Sequence, residues 1–149
     1  MTAAGVGACY WAQDPLGAFV EVFRATMLLD LDAEVSARRL ARVAFASDLR
    51  LADLWPRRAL RFGVTAEVGA GGDYGRSQAF AADAATAGFD GIRCYVRHDP
   101  AQRLVGVVLF GAAGAPAPGM LPDPVSSELT SRLLDEARRK FGYVLLPRP

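Results

Sequence analysis

The sequence predicts a single mixed α/β domain, and three features carry that prediction. A short strand leads directly into a capped helix near residues 10–23, two runs rich in β-branched and aromatic residues occupy 92–97 and 104–110, and an alanine-rich helix precedes them. A chain of 149 residues that is 52% hydrophobic and 22% charged is long enough to bury one core. We therefore expect one domain over residues 1–149.

The first strand and helix are defined by their junction. The strand contains Tyr10, Asp14 is a good N-cap, and Pro15 suits the first helical position because its missing N–H has no helical partner there. The apolar side chains of the helix recur on one face at Leu16, Phe19, Val20 and Phe23. Glu21 lies off that stripe, and periodicity alone favours a solvated carboxylate.

The middle of the chain gives weaker signals. Residues 33–39 fit a short helical turn, and 40–46 fit an extended stretch. An apolar cluster then ends at Pro56, and a short helix over 57–62 stops at Gly63. The cluster comprises Leu49, Leu51, Leu54 and Trp55.

The next three elements are more regular. Asp73 is suited to cap a helix over 74–87 that ends near Gly88. The strand-like runs at 92–97 and 104–110 are separated by a turn at 98–100, which favours an antiparallel pair with the second strand central.

The C-terminal region is expected to begin with a loop over 112–124, because this stretch is rich in glycine, alanine and proline. Ser126 or Ser127 would cap a last helix within 125–142 that ends at Gly142. Its apolar positions are Leu129, Leu133, Ala137 and Phe141.

Composition excludes several classes of function. The formal net charge of +1 gives no general attraction to nucleic acid or anionic membranes. Two cysteines and one histidine form neither a disulfide framework nor a recognisable zinc spacing. Neither a secretion signal nor a long apolar span is apparent, so we expect a cytoplasmic protein without a bound metal.

Few residues suggest chemistry on their own. His98 could act as a general base, but its place in a turn favours a solvated side chain, and Cys94 in a strand fits a core position. Arg93 and Arg97 stand four apart in the predicted strand, so they could grip a phosphate or carboxylate together, or simply be exposed charges. No nucleophile, phosphate-loop or dinucleotide motif occurs.

Several segments together resemble the RES domain family, from about residue 8 to residue 111. The strand with Tyr10 leads to a helix that bears Glu21, and leucine-rich 49–54 follows. A helix then begins at Asp73-Tyr74 and continues through Ser77-Gln78-Ala79, and the last segment runs from Asp90-Gly91-Ile92 to Arg97-His98-Asp99. Each segment is short, so the resemblance rests on their order and spacing.

This resemblance implies a fold similar to that of ADP-ribosyltransferases. It also implies that NAD is consumed as a substrate, with no further cofactor, by breaking its nicotinamide–ribose bond. Glu21 would be catalytic, and Tyr10, Tyr74, Arg97 and position 96 would contact the substrate. Family members often form homodimers and are silenced by a helix-turn-helix antitoxin, so both partners are expected here.

The chain departs from the family pattern at two places. The family's arginine and an assisting tyrosine come from a segment N-terminal to the Tyr10 strand, which is almost absent here, and its serine falls at Val96, which has no hydroxyl. Arg24, Arg93 or Arg97 could supply the missing cation. Three functions therefore stay open: an NAD-degrading enzyme, a degenerate binding or regulatory module, and a biosynthetic protein acting on another nucleotide.

Overall fold

The main sheet contains the strands on either side of residues 98–100. The computed structural model describes residues 6–54, 59–64, 68, 74–114 and 121–146. The strands of this sheet are β1 (Val6–Ala12), β4 (Leu51–Asp53), β5 (Gly91–Tyr95) and β6 (Val105–Ala112). They lie in the order β1-β6-β5-β4. Pairing is antiparallel between β1 and β6 and between β6 and β5, and parallel between β5 and β4.

Helix α1 (Pro15–Val22) forms as its sequence predicts. The Asp14 side chain accepts a hydrogen bond from the Gly17 N–H at 2.9 Å, and Pro15 occupies the first turn. The predicted apolar stripe is fully buried. Helix α1 packs closely on the sheet, since a Cβ added to Gly17 would lie 2.9 Å from the Ala12 Cβ and 3.3 Å from the Val96 Cγ2.

Helix α2 (Tyr74–Thr86) packs against β5. The helix begins at the predicted residue, and Gly88 has the left-handed φ of 79° that suits a helix end. Asp73, the predicted cap, and the Trp55-Pro56 pair lie outside the described residues. Between them in the sequence, a 3-10 turn (Leu60–Phe62) ends at Gly63, which also has a left-handed φ of 70°.

The last helix begins later than the sequence predicts. Ser126 and Ser127 do not cap it; they lie in β7 (Val125–Glu128), which pairs antiparallel with β3 (Arg39–Arg42). Thr130 is the cap of α3 (Ser131–Phe141), and its hydroxyl accepts from the Leu133 N–H at 3.2 Å. Leu129 therefore lies outside the helix, whereas Gly142 ends it as predicted.

A second small sheet has no counterpart in the sequence analysis. Strand β2 (Leu28–Asp30) pairs parallel with β8 (Val144–Leu146), which follows α3. A π-helical turn (Leu31–Val35) follows β2 in place of the helical turn predicted over 33–39. This pairing brings the chain after α3 against the region that follows α1.

The largest buried cluster lies between α1, β2 and α3. Its members come from both halves of the chain: Leu16, Phe19, Val20, Phe23, Leu29, Val35, Val96, Leu133, Ala137 and Tyr143. Helix α1 is thus covered on one side by the sheet and on another by α3. This packing fixes the helix that carries Glu21.

Candidate active site around Glu21

Glu21 lies in the last turn of α1, and its side chain is only 26% exposed. Helical periodicity alone favours a solvated carboxylate, so the partial burial of the Glu21 side chain could not be predicted from the sequence of the helix. The cause is the segment after β5, which crosses the end of α1. There the Arg97 N–H donates to the Glu21 Oε1 at 3.0 Å.

Two arginines approach this carboxylate in different ways. The Arg24 Nη1 lies 3.7 Å from the Glu21 Oε2, one helical turn further along the chain. Arg97 uses its backbone N–H, which leaves its guanidinium directed elsewhere. One carboxylate oxygen therefore accepts from a backbone donor, and the other lies beside a half-exposed cation.

The Arg97 guanidinium lies over the ring of Tyr74, with its central carbon 5.1 Å from the ring centroid. This distance allows a cation–π interaction, worth roughly 0.5–1 kcal/mol at an exposed site. Tyr74 begins α2 and is 63% exposed. The structure thus brings Glu21, Arg97 and Tyr74 together from α1, the segment after β5, and α2.

Two neutral groups lie near the Glu21 charge. Burial first, and the Glu21 carboxylate second, raise the pKa of the Cys94 thiol to about 11. The same two causes, in the same order, raise the pKa of the Tyr143 phenol. Both groups therefore stay protonated at neutral pH, so Cys94 is no nucleophile there.

Val96 does not present its side chain to this site. It is 2% exposed, packs against Gly17 and belongs to the main core. The resemblance gives position 96 a substrate contact, which stays a prediction. The structure shows that the apolar side chain at this position is drawn into the core.

Tyr10 is at the surface of β1 and is 73% exposed. It stands two residues before Ala12, which faces α1, so alternation along the strand puts Tyr10 on the α1 side of the sheet. Ala12 on β1 and Cys94 on β5 are both register partners of Gly106 on β6, so Cys94 lies on the same side of the sheet. Tyr10 and Glu21 therefore border the same face of the sheet.

Arg93 does not act together with Arg97 as the spacing suggested. Strand β5 ends at Tyr95, so Arg97 lies beyond it. Arg93 instead bonds to Asp53, which is its register partner on β4, at 3.3 Å. Its neighbour Cys94 points to the other face, towards α1, so Arg93 is not among the cations at Glu21.

Asp99 holds the turn that follows Arg97, a role that the sequence analysis did not assign. This buried carboxylate accepts backbone N–H bonds from Ala101, Arg103 and Leu104 at 2.6 to 3.0 Å. An aspartate next to proline in a turn is the available signal. His98 beside it is exposed, in keeping with a solvated side chain.

Two open clefts lie elsewhere on the protein. One of about 510 Å³ runs between the start of α1 and α3, and one of about 680 Å³ follows the outer side of α3 to Tyr143. Neither is lined by Glu21, Arg97 or Tyr74. We place the candidate site at Glu21, because there a largely covered carboxylate accepts a hydrogen bond from a fixed backbone donor.

Within the described residues, no three histidine, cysteine or acidic side chains are grouped as metal ligands would be. None of the helices in those residues is both long and apolar enough to cross a bilayer.

Fold and site together define a mixed α/β domain with a carboxylate at the end of its first helix. Comparison with family models gives the particular family: the model of the RES domain matches residues 1–130, and the chain belongs to that family. No curated protein and no solved structure matches the chain. Glu21, Tyr74 and Arg97 all fall within the matched part, whereas α3 and β8 follow it.

Proposed function

We propose that this protein degrades NAD by cleaving the bond between nicotinamide and ribose. The observation that carries the proposal is the Glu21 carboxylate, three-quarters covered and held by the Arg97 N–H beside the Arg97–Tyr74 pair. Membership of the RES domain family supports it, because the resemblance links that family to NAD consumption.

The chemistry needs a negative charge beside the ribose. When the C–N bond breaks, its electron pair goes to the pyridinium nitrogen, nicotinamide leaves as a neutral molecule, and positive charge develops at the ribose C1′. A fixed carboxylate interacts more strongly with that charge than with the ground-state sugar, so it lowers the barrier. Glycosidases use carboxylates against the same kind of oxocarbenium-like transition state.

An oxygen nucleophile then completes the reaction at C1′. Water adds and releases a proton to solvent, which gives ADP-ribose, whereas phosphate adds as an anion and gives a phosphorylated sugar. Both acceptors leave the role of Glu21 unchanged. The hydrolase and the phosphorylase are therefore two versions of this proposal.

Arg97 and Tyr74 are proposed to bind the rest of the nucleotide. A guanidinium is suited to the pyrophosphate, since its planar donors match two phosphate oxygens. The exposed Tyr74 ring offers an aromatic surface for a base. Tyr10, on the same sheet face as α1, would contact the substrate from β1.

Arg24 is proposed to bind a phosphate group of the nucleotide. It lies 3.7 Å from the Glu21 Oε2 and is half-exposed, so it can turn from the carboxylate to a phosphate when substrate arrives. Arg93 is a poorer candidate because Asp53 binds it.

A second function is favoured by one observation, the burial of Val96 in the core. A family position that should offer a hydroxyl offers none, and loss of such a contact typically reduces a rate by ~10²-fold or more. A degenerate RES domain that binds a nucleotide without cleaving it would have this feature. The same assay separates the two functions.

The experiment is proton NMR of NAD incubated with the protein, with and without phosphate. We expect free nicotinamide to appear, and the Glu21→Gln variant to be slower by ~10²–10³-fold. Glutamine keeps the shape and can still accept from the Arg97 N–H, so this change removes mainly the charge. Bound but intact NAD would favour the degenerate module.

The matched control is Glu128→Gln. Glu128 is also a carboxylate paired with an arginine, at 3.1 Å from Arg39, but it is exposed on β7. Its neutralisation should leave the rate of nicotinamide release unchanged. Equal losses in both variants would contradict a specific role for Glu21.

The partners are proposals that rest on family resemblance. We propose that the protein forms a homodimer and is held silent by a helix-turn-helix antitoxin, as the toxin of such a pair. Light scattering of the purified chain tests the dimer. A monomer at assay concentration that still releases nicotinamide would overturn the need for one.

A further inference from the structure

Tyr143 fills the space beside the end of α1 and is only 3% exposed. Its ring meets the Phe19 ring edge to face, with centroids 5.2 Å apart, and its hydroxyl donates to the Phe23 carbonyl at 3.4 Å. This bond is longer than the ~2.7–2.8 Å typical of O–H···O bonds. It is nevertheless the polar contact that joins the chain after α3 to the end of α1.

The Phe23 carbonyl lies where a helix needs outside donors. The last carbonyls of an α-helix have no N–H partners within it, and Phe23 is the C-cap residue of α1. Glu21 stands two residues earlier, in the same turn. A contact that fixes this end of the helix therefore also fixes the backbone position from which the Glu21 side chain extends.

Tyr143 is itself held from both sides by backbone bonds. The Gly142 N–H donates to the Arg138 carbonyl at 3.0 Å, and the Val144 N–H donates to the Met27 carbonyl at 2.8 Å. Gly142 has a left-handed φ of 77°, which glycine adopts without strain. The phenol is thus anchored through α3 and β8 before it meets α1.

The phenol also lies within the electrostatic field of Glu21. Burial and then the Glu21 charge raise the pKa of Tyr143, so the hydroxyl keeps its proton at neutral pH. A protonated hydroxyl is what donation to Phe23 requires. The charge of Glu21 and the donor function of Tyr143 are therefore compatible.

We propose that Tyr143 is a positioning residue for Glu21, so that α3 and β8 form part of the functional site. Tyr143 lies beyond the residues that match the family model, so nothing in the match assigns it this role. The proposal rests on the proposed function in one respect: the charge that Tyr143 positions is taken to act on NAD.

The test variant is Tyr143→Phe, which keeps the ring and its contact with Phe19 but removes the hydroxyl. We expect kcat for nicotinamide release to fall roughly tenfold with KM little changed, because only the placement of Glu21 is disturbed. This is less than the ~10²-fold that a 1 Å misplacement can cost. It fits a long and therefore modest hydrogen bond.

A purely structural role would have a different signature. The control is Val35→Ala, which truncates a member of the same buried cluster that belongs to the π-helical turn after β2 and not to α1. It should lower Tm while leaving kcat per folded molecule unchanged. Tyr143 would be merely structural if its variant behaved in the same way.

A second readout does not need catalysis. The carboxyl carbon of Glu21, labelled with ¹³C and assigned through Glu21→Gln, should shift in Tyr143→Phe and stay in place in Val35→Ala. Inactive wild-type protein would contradict the proposed function alone. An unmoved Glu21 signal in Tyr143→Phe, whether or not the protein is active, would overturn the positioning role.

Discussion

Cys94 reports on the charge of Glu21 without any need for substrate. Burial is the larger cause that raises its pKa to about 11, and the Glu21 carboxylate is the smaller. Neutralising Glu21 should therefore lower the pKa of Cys94 but leave it above the ordinary value. We expect alkylation of Cys94 by iodoacetamide to begin at lower pH in Glu21→Gln.

This measurement needs one background change. Cys9 is exposed and would react first, so the comparison is made with Cys9→Ser present in both proteins. The alkylation rate of Cys94 should then rise with pH in both proteins, and the curve of Glu21→Gln should lie at lower pH. Superimposed curves would mean that the Glu21 charge does not reach the thiol.

Asp99 shows how one buried side chain fixes the backbone next to a site. Its Oδ2 accepts from both Arg103 and Leu104, at 2.6 and 2.8 Å. In Asp99→Asn one carboxylate oxygen is replaced by an amide NH2. Because this group only donates, the backbone N–H groups that point at it lose their acceptor. A buried unsatisfied donor costs about 1–3 kcal/mol, so we expect the free energy of unfolding in urea to fall by at least that amount.

Asp99→Asn should also weaken the hydrogen bond from the Arg97 N–H to Glu21, because the turn that Asp99 stabilises directly follows Arg97. The comparison is Asp83→Asn on α2, an exposed carboxylate for which we expect little change in unfolding. Similar effects from both substitutions would contradict the special role of the Asp99 turn.

At the residue scale, the candidate site was partly predictable from sequence. The order of short motifs singles out Glu21, Tyr74 and Arg97 as candidates, and the structure brings these three together. Tyr143 and Asp99 were missed, because their roles depend on backbone groups that only the fold brings within reach. The burial of Val96 was equally outside the reach of the motif, since a motif position says nothing about the direction of an apolar side chain.

At the element scale, Gly17 sets the distance between α1 and the sheet. A Cβ added to Gly17 would lie 2.9 Å from the Ala12 Cβ, closer than real Cβ atoms come, and 3.3 Å from the Val96 Cγ2. Alanine gains about 1 kcal/mol of helix propensity over glycine, whereas overpacking a core costs about 1–3 kcal/mol. We expect Gly17→Ala to lower Tm and to reduce activity by shifting the helix that carries Glu21.

A nearby substitution separates these two effects. Ala18→Gly lies on the same helix but adds no atoms, so we expect it to lower stability by about 1 kcal/mol, the propensity difference between alanine and glycine, with kcat retained. If Gly17→Ala were as stable and as active as the parent protein, α1 would have room to move that the structure does not show.

Elements with local signals were predicted, and elements defined by distant pairing were not. β1, α1, β5 and β6 follow from a cap, a stripe or a β-branched run. β2 and β8 have three residues each, and β3 and β7 have four. Such short strands are specified by partners far along the chain, so the local sequence at Ser126 and Ser127 predicts a helix cap where the fold has a strand.

At the scale of the whole molecule, the core is closed by the part of the chain beyond the family match. Helix α3 supplies Leu133 and Ala137, Tyr143 follows it, and β8 pairs with β2. These groups cover Leu29 and the buried face of α1, and Leu29 is completely inaccessible. Without them, α1 would expose the apolar side chains that fix Glu21.

We therefore expect a protein ended after residue 130 to lose its cooperative thermal transition, even though it retains the entire family match. The milder variant Leu133→Ala, at a buried position of α3, should remain folded with about 2–5 kcal/mol less stability. Circular dichroism in the near and far ultraviolet checks both. A shortened chain that melts cooperatively and releases nicotinamide at the parental rate would show that α3 and β8 are dispensable, and would also remove Tyr143 from the site.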